Sequence, residues 1–125
     1  VEDEFLIRLI LTEALSEAGY DVTEAETADQ AAALVETLDR FDVLLTDIQT
    51  PGRLDGIALG RVIRQRDPSI PIVYMTGRPD VMLGINNLGR RDAFIRKPYG
   101  PTEVLDTIER LMAESRDAGD ADAVD

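Results

Sequence analysis

The chain has 125 residues, 44 % of them apolar, the size and content of one compact domain with a core of its own. It holds no cysteine and no histidine, which excludes disulfides, thiolate or imidazole metal sites and histidine-based catalysis. A net charge of -12 repels nucleic-acid phosphates and anionic lipids, and no apolar run reaches the ~20 residues that span a bilayer; a cytoplasmic domain that binds neither nucleic acid nor membrane is expected.

Val1, Glu2 and Asp3 read as the end of a strand whose apolar beginning is cut short. From Phe5, the residues Ile7, Ile10, Leu11, Ala14 and Ala18 recur at helical spacing, with Arg8, Glu13 and Glu17 on the other side and Gly19 closing the helix. Tyr20 to Ala25 predicts a short strand, and Ala31, Leu34, Val35 and Leu38 a second helical stripe. Phe41 to Leu45, leading into Thr46 and Asp47, predicts a strand buried on both faces, as in a parallel sheet covered by helices. Pro51 and Gly52 force a loop. Leu59, Val62 and Ile63 mark a third helix ending near Asp67 and Pro68, before an apolar strand from Ile70 to Met75 that Thr76 and Gly77 close. Residues Asp80 to Leu88 predict a marginal helix, since Gly84, Asn86 and Asn87 are poor helix formers. Ala93 to Ile95 predicts the last strand, and Thr102 caps a final helix burying Val104, Leu105, Ile108, Leu111 and Met112. The folded domain is expected to span residues 1–115, and the acidic stretch 116–125 to be a disordered tail or the start of a linker.

Strands alternating with helices argue for an open parallel α/β sheet, in which functional groups gather beyond the carboxyl ends of the strands. Those ends carry Glu2 and Asp3, Asp47, Thr76 and Lys97. Carboxylates brought together repel, and a hard divalent ion relieves them; magnesium suits a site with few protein carboxylates, because it keeps waters and accepts phosphate oxygens. Lys97 can meet a phosphoryl group as a compact cation, Thr76 can donate to one of its oxygens, and Asp47 is left as the nucleophile that forms an acyl phosphate. Taken singly, each has a plainer reading: a strand-end acid is commonly a cap or a solvated loop residue, Thr76 a turn hydroxyl, Lys97 a solvated charge. Their joint order at successive strand ends favours the site.

In these motifs the chain resembles the receiver domains of bacterial two-component response regulators. The resemblance runs from Val1 to about Ala113 and rests on Val1-Glu2-Asp3-Glu4, on Asp47-Ile48-Gln49-Thr50-Pro51, on Thr76-Gly77 and on Lys97-Pro98-Tyr99. It implies a CheY-like, flavodoxin-like fold of five parallel strands in the order 2-1-3-4-5, doubly wound, with the first strand truncated here. It implies that Asp3, Asp47 and the Gln49 carbonyl hold magnesium, with Glu2 assisting through water, and that Phe94 is the switch aromatic that moves with Thr76. Departures stand at Thr50, where the family usually has methionine, in the loop Pro51-Gly52-Arg53-Leu54-Asp55-Gly56, one residue longer than usual, and at Arg90 and Arg91 in place of a Gly-Ala pair.

The function implied is phosphoacceptor signalling: Asp47 takes a phosphoryl group from a sensor histidine kinase or phosphotransfer protein and changes the contacts made with a downstream protein. No separate enzyme activity is expected beyond assistance to its own phosphorylation and dephosphorylation, and a homodimer through the last helix and strand is the family's analogy. Two alternatives stay open at this point. One is a receiver-like scaffold that acts without phosphorylation; the other is an aspartyl-phosphate phosphatase, against which Gln49 stands where such enzymes place a second acid.

Overall fold

A computed structural model of the chain describes residues 1–38, 40–78 and 91–124, the last ten of these by backbone alone. Its elements in chain order are α1 (Phe5–Glu17), α2 (Ala28–Thr37), β1 (Leu44–Asp47), α3 (Gly56–Arg66), β2 (Ile72–Thr76), β3 (Asp92–Arg96) and α4 (Pro101–Val124).

The three strands form one parallel sheet in the order β1-β2-β3, with Leu44 opposite Ile72 and Ile72 opposite Asp92. Alternation along β2 sorts the core. Ile72 and Tyr74 pack with Ala28, Ala31 and Val35 of α2 and Leu59 and Ile63 of α3, while Val73 and Met75 pack with Leu11 and Leu15 of α1 and Val104, Ile108 and Leu111 of α4. The sheet is thus covered on both faces, as its continuous apolar runs require.

Residues 1–2 lie between β1 and the segment 20–25. The Val1 nitrogen donates to Leu45 O at 2.6 Å, Asp47 N donates to Val1 O at 3.0 Å, and Glu2 N donates to Ala25 O at 3.1 Å. The expected strand from Tyr20 to Ala25 does not form as such: residues 20–25 are irregular, tied to Glu2 through the Glu2 N to Ala25 O bond.

Several boundaries differ from expectation for local reasons. In α1 the inward residues are Ile7, Leu11, Ala14 and Leu15, whereas Phe5 and Ile10 are 63 % and 53 % exposed and Leu6 and Leu9 join them outside. β1 begins at Leu44 rather than Phe41, since pairing is set by the start of β2; Phe41 instead packs below the sheet against the α2 and α3 core. Val62, expected on the inner stripe of α3, is 45 % exposed. Thr102 does not cap α4: the helix opens at Pro101, whose fixed φ and missing N–H suit the first helical position. α4 is continuous to Val124 and so takes in residues 116–124; extending a formed helix costs far less than nucleating one. The marginal helix expected over Asp80 to Leu88 lies outside the described residues.

Candidate phosphoacceptor site

Asp47 is the last residue of β1, and its carboxylate is almost fully buried, at 2 % exposure for the residue. The helix α3 starts directly above it: a Cβ on Gly56 would lie 2.0 Å from Asp47 O, so glycine is what lets the two backbones approach. Gly56 N donates to Ile48 O at 2.8 Å and Ile48 N to Met75 O at 2.9 Å, which fixes the direction in which the chain leaves the strand.

The carboxylate has two neighbours of opposite kinds. Lys97, following β3, brings its Nζ to 2.7 Å from Asp47 Oδ1 and 3.4 Å from Glu2 Oε2. Glu2, 2 % exposed, turns its other oxygen back to accept from Glu4 N at 3.0 Å. Asp3 is exposed, yet one carboxylate oxygen each from Glu2, Asp3 and Asp47 lie within 4.8 Å of one another. The Lys97 contact is an ion contact without hydrogen-bond geometry, and neither Asp47 oxygen accepts a hydrogen bond among the described residues.

Electrostatics follow from this burial. Desolvation, reinforced by the carboxyl of Glu2 and opposed by Lys97, pushes the Asp47 pKa up to about 7. For Glu2, burial works upward but is outweighed by contacts with Asp47, the Glu4 N–H and Lys97, so its pKa falls. Lys97 is held above its usual value: desolvation pulls down, and Asp47 and Glu2 more than compensate. Burial thus disfavours ionising Asp47 beside Glu2, and Lys97 offsets part of that cost.

Thr76 ends β2, fully buried; its hydroxyl donates to Gln49 Oε1 at 3.0 Å and accepts from Arg78 N at 3.0 Å. The expectation used only the Gln49 carbonyl, and the side-chain link to Thr76 has no signal in the sequence. Phe94, on the α2–α3 face of β3, stacks on Tyr74 with centroids 5.2 Å apart and planes at 27°. Tyr74 fits because Gly60 of α3 leaves room: a Cβ there would lie 2.0 Å from its hydroxyl.

A residue placed on the outer face by its spacing also belongs here. Arg8 of α1 has a side chain only 14 % exposed, donates from Nη1 to Glu2 O at 2.9 Å and pairs with Glu24 and Glu26. It fixes the backbone of the acidic pair. Its place in the second turn of the helix that follows Glu2-Asp3 is the signal that could have found it.

The model of the response regulator receiver domain family matches residues 1–109. The chain belongs to that family. As a receiver domain it is 36 % identical over 114 residues to the response regulator receiver protein CpdR of Brucella abortus, covering 89 % of this chain and 92 % of that one. It is 34 % identical over 115 residues to the DNA-binding transcriptional regulator NtrC of Salmonella typhimurium, covering 90 % of this chain but only 24 % of that protein, so it spans about a quarter of such a relative. Among solved structures, a response regulator receiver protein from Sinorhizobium medicae superposes with a TM-score of 0.83 at 25 % identity, over 91 % of each chain. NtrX of Brucella abortus superposes with a TM-score of 0.85 at 27 % identity, over 98 % of this receiver domain and 28 % of that chain. These likenesses make the fold a CheY-like α/β receiver fold with a parallel sheet, and the chain a two-component response-regulator receiver. No helix among the described residues is long and apolar enough to cross a membrane.

Proposed function

We propose that Asp47 is the phosphoacceptor of this receiver, charged by the phosphohistidine of a sensor histidine kinase or phosphotransfer protein. The observation that carries this is a buried strand-end carboxylate whose Oδ1 is ion-paired with Lys97 at 2.7 Å and whose oxygens accept no hydrogen bond among the described residues. A structural aspartate buried to this degree has its oxygens satisfied by hydrogen bonds; this one has the lysine charge beside it instead, a cation that can follow the charge onto a phosphoryl group.

The same oxygens, with Glu2 and Asp3 beside them, fit a hard divalent cation. Asp3, Asp47 and the Gln49 carbonyl would hold magnesium, Glu2 through a water, and the ion would supply positive charge to the phosphoryl oxygens. The residues of the chain do the rest. An Asp47 oxygen attacks phosphorus as the P–N bond of the donor breaks, and the electron pair leaves on the imidazole nitrogen. Lys97 moves its charge from the bare carboxylate to the phosphoryl group, which is the state that gathers more negative charge. The domain in this sense assists its own phosphorylation and, with water as the acceptor, its dephosphorylation.

Thr76 is the switch in this reading. Its hydroxyl leaves Gln49 for a phosphoryl oxygen, and Phe94 responds, changing the surface offered to a downstream protein. The backbone bonds flanking Val1 and Glu2 support the five-strand order 2-1-3-4-5, with residues 1–2 in the place of the first strand and 20–25 in that of the second. The receiver unit extends to about residue 115, within α4.

Incubation with acetyl phosphate and magnesium tests the assignment. The expected product is an acyl phosphate that hydroxylamine removes and that peptide mapping places on Asp47. Label on another residue, or a hydroxylamine-stable product, would overturn it.

A further inference from the structure

The loop between Ile48 and Gly56 carries Gln49 past the acceptor, and it has little backbone support of its own. Among the described residues no backbone–backbone hydrogen bond from another element reaches residues 49–54. Two side chains do that work. Asp29, in the first turn of α2, accepts from Arg53 N at 2.8 Å through Oδ2 and from Leu54 N at 3.1 Å through Oδ1. Thr50 donates from Oγ1 to Leu54 O at 3.0 Å, and the same oxygen accepts from Ala28 N, the first residue of α2, at 3.4 Å.

Gly52 belongs to the same arrangement. Its φ is +111°, and a Cβ there would fall 2.2 Å from Asp29 Oδ2, so the loop closes on the carboxylate only because residue 52 has none. α2 is itself held at this end, since Thr27 accepts from Gln30 N at 3.1 Å. The loop is therefore tied to a capped, packed helix, at the position where Thr50 replaces the usual methionine and the loop gains a residue.

We infer that Asp29 and Thr50 form a latch that positions the Gln49 segment at the acceptor site, making both positioning residues for magnesium binding and phosphoryl transfer to Asp47. The inference rests on the phosphoacceptor reading above. A carboxylate taking two adjacent backbone N–H groups fixes both the height and the tilt of a loop, and the threonine ties its two ends. Outer contacts of this kind set how well a cation's direct ligands are held, and losing one commonly weakens the metal about tenfold or more.

The test compares the 125-residue wild-type chain with Asp29→Ala, Thr50→Val and Thr50→Ser. Magnesium is titrated by amide NMR, and phosphorylation by acetyl phosphate is followed at limiting and saturating magnesium. Asp29→Ala and Thr50→Val are expected to weaken magnesium about tenfold, to slow phosphorylation at limiting ion and to recover at saturation; Thr50→Ser, which keeps the hydroxyl, stays close to wild type. Melting in chelator separates a merely structural role, which would lower the melting temperature and leave the magnesium affinity of the folded protein unchanged. That result overturns the latch, and Thr50→Val keeps the test decisive if Asp29→Ala does not fold. A wild type that takes up neither magnesium nor phosphate defeats the phosphoacceptor reading instead, and the latch with it.

Discussion

The Lys97 ammonium, partly exposed, sits 2.7 Å from Oδ1 of the buried Asp47 carboxylate. Such a contact compensates a buried charge in the resting protein and is placed to meet the additional charge of a phosphoryl group. Lys97→Gln keeps much of the volume and removes the cation. The expected outcome is a fall in the phosphorylation rate by about 10²–10³, the usual cost of losing one preorganised charge donor, read from a time course of phosphate uptake. A loss of less than about tenfold would place the lysine in a structural role.

The elevated pKa of Asp47 gives a dependence of stability on pH. Its folded value of about 7 lies above the ordinary aspartate value of 3.8, so the folded state binds the proton more tightly than the unfolded chain. Its contribution is complete below about pH 4 and is lost as pH rises through 7. Asp47→Asn, which cannot ionise, is therefore expected to exceed wild type in stability at pH 8 by about 1–3 kcal/mol in chelator, and to match it near pH 4. Urea unfolding at the two pH values checks this. Equal stabilities at pH 8 would show that Lys97 fully compensates the charge.

Gly60 offers a test of packing behind Phe94. An added Cβ would meet the Tyr74 hydroxyl oxygen at 2.0 Å and the ring carbons Cζ and Cε1 at 2.9 and 3.0 Å, all closer than van der Waals contact. Gly60→Ala is expected to cost about 1–3 kcal/mol through overpacking, and Tyr74→Phe in the same chain, which removes the nearest atom but keeps the ring carbons, should restore part of it. Thermal unfolding of the single and double variants measures the rescue. No rescue would mean that the backbone of α3, rather than the hydroxyl, bears the strain.

Much of this arrangement is legible in the sequence because periodicity and strand ends are local signals. The 3.6-residue stripes place α1, α2, α3 and α4, and the apolar runs place β1 and β2 on a sheet buried on both sides. The acids, threonine and lysine then converge because parallel strands end on one side. Long-range contacts between polar residues are not legible in that way. Asp29 reaches a loop 24 residues further along, and Thr76 meets Gln49 across 27; neither partner is marked by spacing or by hydrophobicity. Arg8 was misplaced because helical spacing alone puts it on the outer face, whereas the carbonyl of Glu2 and two glutamates draw its long side chain inward. Ile10 and Ala18 differ in the other direction, both exposed though on the expected stripe: apolar character alone does not say which of two adjacent stripes a helix buries.

The most direct test of the central claim is intact-mass analysis of wild type and Asp47→Asn after incubation with acetyl phosphate, each with magnesium and with chelator. A gain of one phosphoryl group in wild type with magnesium, absent from Asp47→Asn and from the chelated sample, is the predicted result. An equal gain in folded Asp47→Asn, or no gain in folded wild type, would contradict the account.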